Sequence, residues 1–276
     1  MHIKTSIIIT VYKNTIALKL ILDSLINQTY KDFEVVIAED DQFIDIKNLL
    51  KEYDKLDILH ISQEDNGMQK NIIQNKALAK ANGDYIIFID GDCIPYSTFI
   101  EGHIKLSEKK TVLSGRRVNL NSSVSEQLRY NSLTSFKLEK NYLKYFSLMK
   151  DKTVKYEQGI YIKPNSFIYK KFIKNSKRNV SLLGCNFSCF KNDFISINGF
   201  DESYAGTAIG DDTDLDWRFR AYGCKLKSCK NVANVFHLYH EIFNRGDASD
   251  KLVLMKQREK KNEFICKQEN GVSKYV

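Results

Sequence analysis

An α/β fold with a mostly parallel central sheet is the architecture this sequence predicts, on three observations. Through residues 5–90, short β-branched apolar runs alternate with segments of helical spacing. Acidic clusters stand where the apolar runs stop, at Glu39-Asp40-Asp41 and at Asp90-Gly91-Asp92. No Pro- or Gly/Ser-rich linker divides the 276 residues, whose only prolines are Pro95 and Pro164. Strand–helix alternation favours a parallel sheet with crossover helices, and such sheets gather their chemistry beyond the carboxyl ends of the strands.

The elements follow in order. "TSIIITVY" (5–12) is a buried strand. Residues 14–30 have helical spacing, with Leu18, Ile21, Leu22, Leu25 and Ile26 on one side and Asn14 as N-cap. "FEVVIAED" (33–40) is a second strand, 43–53 a helix, and "LDILHIS" (56–62) a third strand. Residues 68–82 form a helix stopped at Gly83, and "DYIIFID" (84–90) a fourth strand. Beyond it, 98–108 reads as helix, "TVLSGRRV" (111–118) as one strand, 124–150 as helical, and "LLGCNFSCF" (182–190) as strand-like. Residues 198–206 form a turn and loop. Residues 211–223 are a helix with acids in its first turn and Gly223 as C-cap, and 249–268 are a charged amphipathic helix.

Composition bounds the function. Apolar content of 43% and charged content of 28% suit a folded globular chain. The net charge of +8 fits phosphate-bearing ligands, nucleic acid or an anionic membrane, without choosing among them. Lysines mixed with Tyr and Phe concentrate at 137–178. The N-terminal apolar run is too short for a signal peptide, and no segment approaches a membrane span. The six cysteines read as reduced thiols of a cytoplasmic protein; the loose Cys185/Cys189 and Cys224/Cys229 spacings make a poor zinc site. Neither G-x-G-x-x-G after the first strand nor a P-loop is present, which argues against a dehydrogenase or P-loop kinase.

Three motifs carry chemistry. Asp90 and Asp92 alternate on an extended segment, so both carboxylates can face one side, and Gly91 between them admits a close approach. Hard oxygen ligands at an open site suit Mg²⁺ or Mn²⁺, although D-G-D is also an ordinary solvated turn. "GDDTDLDW" places Asp211, Asp212, Asp214 and Asp216 within six positions. On a helix Asp212 and Asp216 share a face; the cluster is either a general base with its neighbours or a first turn that complements the dipole. His237 and His240, in "HLYH", offer a nitrogen ligand for the same cation, or serve structurally.

Together these stretches resemble the inverting family 2 glycosyltransferases of GT-A fold. The likeness runs from "TSIIITVY" and "FEVVIAEDD" through "NKALAKANGDYIIFIDGDCIP" to "GCNFSCFKNDFISINGFDE", "GDDTDLDWRFRAYG" and "HLYH". It covers about 1–118 and 182–240. The second half is similar to the galactosyltransferase-like region of bacterial chondroitin polymerase. The resemblance implies a single GT-A domain: a nucleotide-sugar half at 1–118, a basic aromatic helical insertion at 119–181, an acceptor and catalytic half at 182–248, and a C-terminal helix and tail at 249–276.

It also implies roles. Thr10 and Tyr12 line the nucleoside pocket, Asp40 accepts the uracil N3 hydrogen, and Glu39 stands beside it. Asn75, Lys70, Asp90 and Gly91 complete the donor site. Asp92 coordinates Mn²⁺ or Mg²⁺ with Asp90, and His237 or His240 is the last ligand. Asp212 is the catalytic base, and Asp211 binds the acceptor with Asn186, Gly199 and Phe200. Asp211 stands where the family usually has Glu, Lys13 where it has Asn, and Gln42-Phe43 where it has Gly-Ser.

The implied activity is transfer of a hexose or N-acetylhexosamine from a UDP-sugar to a glycan or lipid-linked glycan, in capsule or lipopolysaccharide synthesis. The place is the cytoplasm, at the inner membrane face, where 120–180 could rest on anionic lipid. Rival readings are a nucleotidyltransferase and an inactive glycan- or nucleic-acid-binding relative. The missing N-terminal Gly-rich loop speaks against the first. The intact Asp92 and Asp212, and an acidic rim that repels nucleic acid, speak against the second.

Overall fold

The computed structural model describes residues 3–147, 155–174, 180–207, 209, 212–241 and 248–276. The first half follows the sequence closely: β1 (Thr5–Val11), α1 (Thr15–Ile26), β2 (Phe33–Glu39), α2 (Ile44–Leu50), β3 (Ile58–Ser62), α3 (Lys70–Lys80) and β4 (Tyr85–Asp90). Then come β5 (Cys93–Pro95), α4 (Phe99–Leu106), β6 (Thr111–Ser114), β7 (Arg116–Asn119), α5 (Ser122–Arg129) and α6 (Ser135–Lys140). The chain ends with β8 (Asn186–Phe190), α7 (Lys191–Ser196), α8 (Thr213–Ala221), β9 (Lys225–Ser228), β10 (Asn234–His237) and α9 (Ser249–Lys260).

A seven-stranded sheet has the order β3-β2-β1-β4-β8-β6-β9. The first four strands are parallel, β8 runs antiparallel to both β4 and β6, and β9 is parallel to β6. The period of two along β1 divides the core. Ile7, Ile9 and Val11 join α1, α2 and α4 on one face; Ile8 joins α3, α7 and α8 on the other. Burial on both faces explains why these strands read as continuous apolar runs. Phe88 and Phe187 stack across the β4–β8 pair with centroids 4.8 Å apart, fixing the antiparallel strand in place.

A second sheet, β5-β10-β7, stands off the first. It corrects the expectation of one strand over 111–118, which breaks at Gly115 into two strands of different sheets. A Cβ at Gly115 would lie 2.2 Å from Asn186 Nδ2, so the break is where the buried Asn186 amide presses on the backbone. The expected helix over 124–150 is likewise in pieces: α5, α6 and a 3₁₀ segment, Tyr142–Ser147. Asn131, at φ 59°, ends the first of them in the left-handed region; residues 148–150 lie outside the described residues. Val124, Leu128, Leu138 and Tyr142 belong to the α1-side core, so this part of the insertion is packed rather than free-standing. The C-terminal helix stops at Lys260, short of the expected 268. Among the described residues no helix is long and apolar enough to cross a membrane.

Candidate active site

The carboxyl ends of β1, β2 and β4 form one rim because the strands are parallel and in register, with Thr10 beside both Ala38 and Asp90. Gly91 is required there by its own neighbour: a Cβ would sit 2.6 Å from the Thr10 carbonyl oxygen. The close approach expected at Gly91 is thus made by β1.

Each acid on the rim has a distinct environment. Glu39 is buried; its Oε1 accepts from the Phe43 amide at 2.7 Å and its Oε2 lies 2.5 Å from His60 Nε2. Asp40 accepts from Gln63 Nε2 at 2.7 Å and from the Gln69 amide at 2.8 Å. Burial nevertheless pushes its carboxyl above the usual range, against those two hydrogen bonds. Asp41 Oδ2 is buried without a hydrogen bond and lies 3.7 Å from Lys13 Nζ. Asp90 pairs with Lys70 at 2.7 Å. Thr10 Oγ1 accepts from Gln74 Nε2 at 3.1 Å, and Tyr12 is half exposed, donating to Asp65 at 3.1 Å.

Asp92 has another partner set. β10 pairs with β5 so that His237 lies beside Cys93, directly after Asp92. His237 Nε2 and His240 Nε2 each lie 3.2 Å from Asp92 Oδ2, and one ligand atom from each of the three residues lies within 4.8 Å of the others. Burial raises the Asp92 carboxyl pKa, but the hydrogen bonds and charges of the two imidazoles outweigh it and hold the group far below the carboxylate range. The same Asp92 contact raises His240. Two nitrogens and one carboxylate oxygen converging from two elements make a donor set for a divalent cation. Both histidines meet Asp92, whereas Asp90 is turned to Lys70.

The four acids of "GDDTDLDW" separate. Asp211 lies outside the described residues. Asp212 is the N-cap residue of α8, half-buried, and its Oδ1 accepts from Thr213 Oγ1 at 3.1 Å. Among the described residues it has no ion pair. Asp214 is buried 3.1 Å from Arg218, and Asp216 meets Arg220 at 2.5 Å and the Leu182 amide at 2.7 Å. Because α8 leads back into β9, which runs parallel to β6, its N-terminus is directed toward the rim. The sharing of a face by Asp212 and Asp216 therefore has no functional counterpart: Asp216 is engaged elsewhere.

Four residues that the resemblance implies for the site are held by other parts of the fold. Asn75 is buried, its amide donating to Phe200 O and Glu202 Oε1 and accepting from the Phe200 amide; it holds the loop after α7. Asn186 is buried against Arg116 O, Ala233 O and His103 Nε2. Gly199, at φ +71°, packs where a Cβ would meet Asn75 Oδ1 at 2.4 Å, and Phe200 is a core ring. Each makes contacts that hold the fold together. Conversely, Gln63 and Gln69, which grip Asp40, carry no charge or motif that sequence reading could seize.

The model of the family described as "Glycosyl transferase family 2" matches residues 6–176, more than half of the chain, and that of the "N-terminal domain of galactosyltransferase" matches 168–241. Chondroitin synthase of Pasteurella multocida is 31% identical over 132 residues, 46% of this chain and 14% of that protein. The chain spans only 11–14% of the length of the first curated relatives it matches. TarS (1–349) of S. aureus, solved in complex with UDP-GlcNAc, superposes at TM-score 0.61 with 15% identity, over 94% of this chain and 66% of that one. A mannosyltransferase of Pyrobaculum calidifontis, solved with GDP-Man and Mn2+, gives 0.57 with 14% identity, over 95% and 63%. The fold is thus the GT-A fold that the resemblance implied.

Proposed function

The chain belongs to glycosyltransferase family 2, and from that membership we propose that it transfers a hexose or N-acetylhexosamine from a UDP-sugar to a glycan hydroxyl, with inversion and with a bound divalent cation. The convergence of Asp92, His237 and His240 at the strand rim carries this reading. The nucleotide and metal in the two structural neighbours support it.

In this reading residues 1–118 hold the donor and 182–248 supply the acceptor side and the base. Asp40, Thr10 and Tyr12 receive the nucleoside, Asp40 through the uracil N3–H. Asp90, with Lys70, faces the ribose. Asp92, His237 and His240 hold Mn²⁺ or Mg²⁺. When bound, that cation supplies positive charge against the charge that develops on the departing diphosphate. Asp212 takes the proton of the acceptor hydroxyl. The hydroxyl oxygen attacks the anomeric carbon from the face opposite UDP, the bond from that carbon to the diphosphate oxygen breaks, and configuration inverts. Asp212 suits the role because no cation in the described structure neutralises it, unlike Asp214 and Asp216.

The acceptor in this reading is a glycan or lipid-linked glycan of a bacterial surface polysaccharide, capsule or lipopolysaccharide, met at the cytoplasmic membrane face. Phe167 and Phe172 are 73% and 60% exposed with Lys171 Nζ over both rings, a surface suited to an anionic bilayer.

The test is the melting temperature with UDP, GDP, CMP or ATP, each with and without Mn²⁺. Stabilisation by UDP that requires Mn²⁺ is the expected result. No shift with any nucleotide would sink the proposal.

A further inference from the structure

Two adjoining clefts, of about 270 and 200 Å³, open next to β7. They share Arg116, Lys155 and Gln158, so they form one continuous depression. Lys230 lies at one end and Arg117 with Asn119 at the other. The charge is one-sided. Glu157 is the only carboxylate among the described lining residues, and it is taken by Lys230 at 3.1 Å.

Arg116 and Arg117 differ. Arg116 donates to Gly115 O, Ser114 Oγ and Ser181 O. Arg117 is half-buried beside the Cys185 side chain, its hydrogen-bond partner. A guanidinium carries five donors, more than one thiol can take, and its planar fork matches a carboxylate or phosphate.

The depression lies along β7, next to the strand that carries His237. In the β7–β10 pair Arg117 is beside Val235, and Asn119 beside His237. Arg117 is also within electrostatic reach of Asp90 and His240. The other wall includes Val180 and Leu183. That segment is tied to α8, because the Leu182 amide donates to Asp216 and Arg220 donates to Val180 O. One wall of the cleft is thus β7, the neighbour of the strand that carries His237, and the other is a segment tied to the helix that begins after Asp212.

We infer that this cleft binds an anionic group, a carboxylate or a phosphate, carried by the acceptor glycan, with Arg117 and Lys155 as its contacts. The inference rests on the transferase reading for the word acceptor, and on the cleft alone for the anion. It makes the protein selective for acidic acceptor chains over neutral ones.

Calorimetric titration of the full chain, with and without UDP and Mn²⁺, tests it. The probes are an oligogalacturonate, an oligo(glycerol phosphate) and neutral maltooctaose. One acidic probe is expected to bind at least about tenfold more tightly than maltooctaose, and which one identifies carboxylate or phosphate. Arg117→Gln and Lys155→Gln should each weaken it by about tenfold, and Lys47→Gln, an exposed charge-matched control, by less than about twofold. Lys155 is exposed, so its variant keeps the test readable if Arg117→Gln does not fold. Equal binding of acidic and neutral probes, or equal weakening by all three variants, overturns the inference. So does loss of UDP stabilisation in Arg117→Gln, which would move that residue to the donor. Absence of UDP binding by the unaltered chain, with Arg117-dependent anion binding intact, overturns the transferase reading and leaves the anion site standing.

Discussion

The strand-rim acids and the α8 acids obey the same rule by different means. On the rim, Glu39, Asp40 and Asp90 are answered by His60, by Gln63 with the Gln69 amide, and by Lys70. On α8, Asp214 and Asp216 are answered by Arg218 and Arg220 one turn later. Asp41 lies 3.7 Å from Lys13, and in each set one further described acid has a partner of another kind. Asp92 meets two imidazoles, ligands that a cation can share, and among the described residues Asp212 meets only a hydroxyl. Density of acid is therefore a poor guide to chemistry. What separates one carboxylate from another is the kind of partner the fold supplies, set on the rim by elements far away in the chain and on α8 by neighbours within a turn.

The largest test of this contrast lies within α8. Asp212→Asn should lower sugar transfer by about 10²–10⁴-fold, the scale of a lost general base, while UDP with Mn²⁺ still raises the melting temperature. Retained transfer would put the base elsewhere. Asp214→Ala should do something different: leaving the Arg218 charge buried with no carboxylate, and with the Gly199 and Ile197 carbonyls as its acceptors, should cost about 3–5 kcal/mol of stability in a denaturant titration. A cost below about 1 kcal/mol would show that Arg218 is satisfied by its carbonyl partners alone.

On the rim, Asp92→Ala should remove the Mn²⁺-dependent part of the UDP stabilisation and reduce transfer with it. A variant that stays active and metal-dependent would remove Asp92 from the cation site. A smaller effect should appear with pH. The Asp92 contact raises the His240 pKa above the usual 6.5. In the cation-free protein that contact contributes stability in full below the ordinary histidine range and loses it as pH rises through the raised value. A metal ion competes with the same proton, so the Mn²⁺ concentration for half-maximal stabilisation should fall between about pH 6 and pH 8. A pH-independent midpoint would detach His240 from the metal.

The two halves also differ in what the sequence discloses. Strands β1 to β4 and their helices fall within a few residues of expectation, because each is a local apolar run closed by Gly, Asn or acid. The β5-β10-β7 sheet is illegible beforehand: its strands have three or four residues and their partners are remote. The break at Gly115 is caused by Asn186, which no local pattern reveals. The same blindness affects the site. "HLYH" and "DGD" announce themselves as motifs, and the fold brings them together. Asn75, Asn186, Gly199 and Phe200 belong to equally conspicuous stretches, but buried amides and a core ring show their roles only once the neighbours are seen.

The insertion of β8 between β4 and β6 has a consequence for biosynthesis. As the chain leaves the ribosome, β3, β2, β1 and β4 can assemble from local pieces, yet the outer edge of β4 stays unpaired. Its partner is encoded roughly 100 residues later, since Phe88 pairs with Phe187. During that interval the nascent donor half presents an open, apolar strand edge, the kind of surface that invites pairing with other chains. Any truncation upstream of Asn186 would make that transient exposure permanent, so fragments of the donor half should aggregate where the longer chain does not.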